Sequence, residues 1–194
     1  YLNIVTASMF AILIGAAEAA FAMFLLARPR VVSLRASPPF GWALGLGIGS
    51  MQASYLIYRL FDEQLQYSEY SGINAVSVTM AFTIALVSCL GHALPTSWQG
   101  ARILESSRVR PFIISAVVRG ALTMCLVLAL FMPLMVLLTV PAIALAWGPA
   151  QTSWLPSGMT PDAKQAFRRT TRQSQRHRRA SEERIRGEAL DSEE

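Results

Sequence analysis

The chain has 194 residues, of which 53% are hydrophobic and only 15% charged, with a formal net charge of +5. Soluble domains carry about 25% charged residues. Here about half of the charges fall after residue 160, so the remainder is too continuously apolar to fold as a soluble core. These numbers exclude an ordinary soluble enzyme and imply a membrane domain (1–148), a linker (149–160) and a soluble charged tail (161–194).

The first predicted segment runs from Ile4 to Ala27 and is followed by Arg28, Pro29, Arg30 and Arg35. A hydrocarbon slab of about 30 Å needs roughly 20 such residues, so this one spans with some tilt. The second, Phe40 to Leu60, opens after Pro38-Pro39 and closes at Arg59 and the acidic turn Asp62-Glu63. The third, Ile73 to Leu94, follows Glu69 and Gly72 and is expected to stop at Pro95. Proline, glycine and charge are the usual markers of helix ends.

The fourth block, Phe112 to Trp147, holds 36 residues interrupted only by Arg119, Gly120, Pro133 and Pro141. Two arguments conflict over it. Two crossings would place Arg28, Arg30 and Arg35, Arg102, Arg108 and Arg110, and the basic tail all on one side, as the positive-inside tendency prefers. A hairpin at Phe131-Met132-Pro133-Leu134-Met135, however, offers no polar side chain to its free backbone groups. The turn chemistry favours one kinked helix. The expected fold is therefore an all-α integral membrane protein, a four-helix transmembrane bundle with helices near 4–27, 40–60, 73–94 and 117–140. Five crossings are the alternative, and neither the membrane, bacterial inner or organellar, nor the orientation is legible.

Beyond Gly148 the composition turns to linker, and Thr160-Pro161-Asp162 reads as a helix start with threonine as N-cap and proline in the first turn. Lys164, Arg168, Arg169, Arg172, Arg176, Arg178 and Arg179 follow with no acid among them. Such a run suits anionic lipid headgroups, at about 1 kcal/mol per charge near a surface, or an acidic protein surface. Only Phe167 is near enough to stack on bases, so nucleic acid is not favoured.

Two constellations lie inside the membrane domain. Ala7, Ala11, Gly15 and Ala19 recur every four residues on the first segment, and Gly41, Gly45, Gly49 and Ala53 on the second. Small residues at that spacing let helix backbones approach closely where lipid removes the hydrophobic incentive to associate. They predict packing seams, within the chain or to another subunit. Glu18 and Arg119 are the two charges deepest in apolar sequence. An ionisable group there costs at least about 2.5 kcal/mol on insertion scales. Counted along their helices they fall at similar depth, which predicts an intramembrane charge pair. His92, three residues after Cys89, reads as a polar interfacial histidine, because neither haem nor zinc finds enough ligands around it. Tyr55, Tyr58, Trp98, Trp147 and Trp154 read as interfacial anchors.

No H-E-x-x-H, P-loop or G-x-S-x-G pattern is present, so no enzyme activity, metal or cofactor is expected. The favoured function is a non-catalytic multi-pass subunit of a larger membrane complex. It would hold neighbouring membrane subunits and lipids through its small-residue seams and basic tail. The alternative is a small oligomeric ion-coupled transporter or channel using Glu18.

Overall fold

The computed structural model describes residues 4–62 and 72–186. Glu63, Glu69 and the acidic end of the tail from 187 onward lie outside the described residues. The described residues are helical throughout, in the order α1 (Ile4–Leu26), α2 (Pro29–Ser33), α3 (Ser37–Leu60), α4 (Ala75–Leu104), α5 (Val109–Ala129), α6 (Leu134–Leu137), α7 (Thr139–Pro149) and α8 (Pro161–Arg186). A π turn, Ala150–Trp154, and a 3-10 turn, Leu155–Gly158, continue α7. Four stretches are long and apolar enough to cross a membrane: Val5–Leu26, Ala75–Leu104, Val109–Ala129 and Leu134–Gly158. They fit an integral membrane location. The set differs from the expected one, since α3 is not in it and Leu134–Gly158 is.

Two boundaries need correction. α4 does not stop at Pro95 but runs through it to Leu104. Proline removes one backbone donor, here the one that would bond the Gly91 carbonyl, and membrane helices tolerate that loss. Thr96 Oγ1 donates to the His92 carbonyl at 2.5 Å and Ser97 Oγ to the Leu94 carbonyl at 3.2 Å. The extra turns bury Thr96, Gln99, Ala101 and Ile103.

The second correction concerns the expected helix 117–140. α5 starts at Val109 and ends at Ala129, and the chain turns through Leu130–Pro133 before α6. The turn supplies its own hydrogen bonds. Phe131 N donates to the Leu128 carbonyl at 3.0 Å, Met132 N to the same carbonyl at 2.8 Å, and Met135 N to the Met132 carbonyl at 3.0 Å. Pro133 has no N–H to satisfy. The chain breaks here without a polar side chain, contrary to the premise that a turn at this point would need one.

The small-residue seams lie inside the chain. Gly41, Gly45, Gly49 and Ala53 are buried on the face of α3 that meets α4. A methyl group on Gly45 would sit 2.5 Å from Ala93 Cα and the His92 carbonyl oxygen, and one on Gly49 2.5 Å from the Ser88 carbonyl oxygen. α1 pairs with α5 instead of α3, through Ala11 and Gly15, and the Ala19 carbonyl accepts from Gln99 Nε2 of α4 at 3.0 Å. A methyl on Gly15 would meet Ala116 O and Gly120 N at 2.5 Å. Ala7 is half-buried.

Two apolar clusters close the ends of the bundle. Leu56, Leu60, Met80, Ile84, Leu126, Leu130 and Val136 pack at one. Ala22, Leu26 and Ile103 pack at the other. At that second end Ser37 Oγ donates to the Leu26 carbonyl at 3.0 Å, and Arg35 Nη2 donates to the Ser157 carbonyl at 3.1 Å. The residues after α1, after α4 and after the last apolar stretch therefore come to one end, with Arg28, Arg30, Arg35, Arg102, Arg108 and Arg110. Asp62, Asn74 and Pro133 belong to the other.

α8 belongs to a separate compact unit, Met159–Glu194. Thr160 Oγ1 accepts from Ala163 N at 3.3 Å at its start, and none of its residues is buried. Lys164, Arg168, Arg169, Arg172, Arg176, Arg178 and Arg179 are all on it. Arg178 pairs with Glu182 at 2.8 Å, which holds the Arg178 guanidinium above its ordinary range.

Candidate functional site

Glu18 lies eight residues before the end of α1, about 12 Å from the basic end at 1.5 Å per residue. Arg119 lies ten residues into α5, about 15 Å from the same end. The seam between α1 and α5 brings these levels together, because Gly15 and Gly120 let the two backbones touch. Glu18 Oε2 is 3.9 Å from Arg119 Nη1, with the arginine side chain fully buried and the glutamate 18% exposed.

A third ionisable group completes the site. His92, expected at an interface, is fully buried in the middle of α4, and its Nδ1 lies 3.2 Å from the same Glu18 oxygen. The continuation of α4 beyond Pro95 is what moves His92 from a helix end to the interior. On the other side of the ring, Nε2 is 2.5 Å from Gln52 Oε1 of α3. Gln52 Nε2 donates to Thr123 Oγ1 of α5 at 3.1 Å. Arg119 Nη2 donates to Thr96 Oγ1 at 2.6 Å, and Ser88 Oγ to the Gly49 carbonyl at 2.8 Å. Four helices thus contribute to one chain of polar contacts.

The network is incomplete. Glu18 Oε2, His92 Nδ1, Arg119 Nε and Arg119 Nη1 are buried without a hydrogen-bond partner, as are Ser115 Oγ and Gln99 Oε1. The Glu18–His92 approach is close but off the line of a hydrogen bond. In native interiors most buried polar atoms are partnered, so a group of orphans at one place calls for a reason.

With the Gln52 carbonyl oxygen facing it, His92 Nε2 must carry a hydrogen, because two acceptors at that distance repel. A neutral ring then has a bare lone pair on Nδ1. Glu18 Oε2 faces that lone pair, and if the carboxyl is ionised the two again repel. Arg119 Nη1 adds a positive charge 3.9 Å from the same oxygen.

Of the residues singled out from the sequence, the structure brings Glu18 and Arg119 together and sets the seam residues at the helix contacts that allow it. His92 was read as an interfacial histidine, and Gln52, Ser88, Thr96 and Thr123 were not singled out. Their signal was present in the spacing: Ser88, His92 and Thr96 recur every four residues on α4, and Ser115, Arg119 and Thr123 on α5. Each triplet is a polar stripe along one helix face. No protein-family model, curated protein or solved structure matches the chain.

Proposed function

We propose that the chain is a small multi-pass membrane protein that takes up and releases a proton at the Glu18–His92–Arg119 cluster, as an ion-coupled transporter or channel does. The observation that carries this reading is His92 Nδ1 at 3.2 Å from Glu18 Oε2 in the interior. A bundle held together by an ion pair needs one acid and one arginine. A histidine against the same carboxylate adds the side chain best suited to exchanging protons near neutral pH. Ionisable groups inside membrane helices commonly mark ion or proton pathways.

Five crossings suit the reading: α1, α3, α4, α5 and the stretch from Leu134 to Gly158. The Arg35–Ser157 hydrogen bond supports an odd number, because it joins the loop after the first crossing to the end of the last. The basic end would then face the cytoplasm by the positive-inside tendency.

The non-catalytic subunit reading rests now on α8 alone, an unburied helix bearing seven of the chain's basic residues between Lys164 and Arg179. Its other support, the small-residue seams, is spent on contacts within the chain.

Reconstitution in liposomes with an internal pH dye tests the proposal. An imposed pH gradient, with potassium and valinomycin to carry compensating charge, is expected to collapse faster with the wild-type chain than with Glu18→Gln or His92→Gln. Collapse at equal rates in all three, with equal amounts of inserted protein, would overturn it.

A further inference from the structure

Gln52 reaches from α3 to two other helices. It lies three residues after Gly49 and directly before Ala53, both buried against α4. The backbone contact at Gly49, where an added methyl would sit 2.5 Å from the Ser88 carbonyl oxygen, fixes where the Gln52 side chain starts. One end of its amide meets the ring of His92, with Oε1 2.5 Å from Nε2. The other end is tied to α5, since Gln52 Nε2 donates to Thr123 Oγ1 at 3.1 Å. Ser88 Oγ donates to Oε1 at 3.3 Å, from the same side as the ring.

The two ends of an amide are unlike. A carbonyl oxygen against a ring nitrogen calls for a hydrogen on that nitrogen, and an NH2 group in its place calls for a bare one. His92 is fully buried, so bulk water offers its ring no other partner. The end of Gln52 that faces the ring therefore decides the tautomer of neutral His92. It decides as well what Glu18 Oε2 meets at Nδ1, 3.2 Å away. With Oε1 inward, Nε2 keeps its hydrogen and Nδ1 is the nitrogen free to gain and lose a proton. With the amide reversed, the lone pair would face Gln52 and not the carboxyl.

We propose that Gln52 is a positioning residue for the Glu18–His92–Arg119 cluster. Its amide, held at the far end by Thr123, sets the tautomer of His92 so that Nδ1 is presented to Glu18. Gln52 acts through the ring. The use of Nδ1 for proton exchange rests on the function proposed for the cluster, while the tautomer itself does not.

Nitrogen-15 spectra of the full chain, labelled at histidine and carrying His177→Gln, read the tautomer at alkaline pH, where the ring is neutral. With Gln52 intact, hydrogen on Nε2 should outweigh hydrogen on Nδ1 at least about tenfold, because the other tautomer leaves buried groups unsatisfied. Gln52→Met keeps the length of the side chain and removes the amide. The preference should then reverse, with the hydrogen on Nδ1 facing Glu18. Gln52→Glu puts an acceptor back at Nε2 and should return the hydrogen to it, a rescue that a space-filling role would not give. If Gln52→Met does not yield folded protein, Thr123→Val decides: releasing the far end of the amide should bring the ratio at least about threefold closer to one. A ring protonated on Nδ1 with Gln52 intact, or an unchanged ratio in the deciding variant, would overturn the proposal. The spectra need no pH gradient, so a failure of proton transport in liposomes and a failure of Gln52 to set the tautomer are told apart.

Discussion

α4 takes part in two interfaces built on opposite terms. Towards α3 it is closed. The backbones meet over Gly41, Gly45 and Gly49, and the Ser88 hydroxyl goes to the Gly49 carbonyl. Towards α1 and α5 the same helix leaves Glu18 Oε2, His92 Nδ1 and two guanidinium nitrogens of Arg119 buried without partners. A contact selected only to hold a bundle closes its hydrogen bonds, as the first one does. Retaining an acid, a base and an arginine whose hydrogen bonds are incomplete costs stability, and the proposed return is proton exchange.

Breaking the closed interface should have the largest effect. Gly45→Leu or Gly49→Leu would drive a side chain into backbone atoms that cannot swing aside. Overpacking usually costs about 1–3 kcal/mol, and both substitutions should exceed that, seen as failure to recover monodisperse protein. Leu46→Ala should leave recovery nearly unchanged. The polar interface should respond next. Arg119→Gln is expected to destabilise by roughly 3 kcal/mol, because it leaves the Glu18 carboxyl without its cation. Glu18→Gln should cost less, since its side chain is partly exposed. The double variant should cost less than the sum of the two in thermal melts; simple additivity would separate the two residues energetically.

The smallest effects sharpen the contrast. Gly47 is on the open side of α3 with nothing within 4 Å of an added methyl. Gly47→Ala should therefore raise stability by up to about 1 kcal/mol, the difference in helix propensity. Truncation after Gly158 should leave melting of the remaining chain within about 0.5 kcal/mol, because none of α8's residues is buried. The truncated chain should bind anionic vesicles less, with the difference fading as salt rises.

Much of the helical layout was legible because proline, glycine and arginine mark boundaries in a chain this apolar. The seams were legible too, since a period of four small residues survives any uncertainty about ends. What misled was treating Pro95 as a stop, although membrane helices tolerate an internal proline. The second miss was denying a turn at Met132-Pro133, where backbone bonds alone close the chain. The first error had the larger consequence. It placed His92 near a surface and hid the polar stripe from Ser88 to Thr96, whose meeting with Arg119 and Thr123 depends on the long-range pairing of α4 with α5. No local pattern states that pairing.

The central claim is that Glu18 and His92 share a proton, and nitrogen-15 spectroscopy of the imidazoles tests it most directly. The chain has only two histidines, so His177→Gln assigns the signals of His92. In wild type Nε2 should be protonated and Nδ1 strongly shifted by a hydrogen-bonded proton, and Glu18→Gln should relax the Nδ1 signal while leaving Nε2 protonated. A His92 spectrum indifferent to Glu18→Gln would contradict the shared proton and leave the cluster as packing.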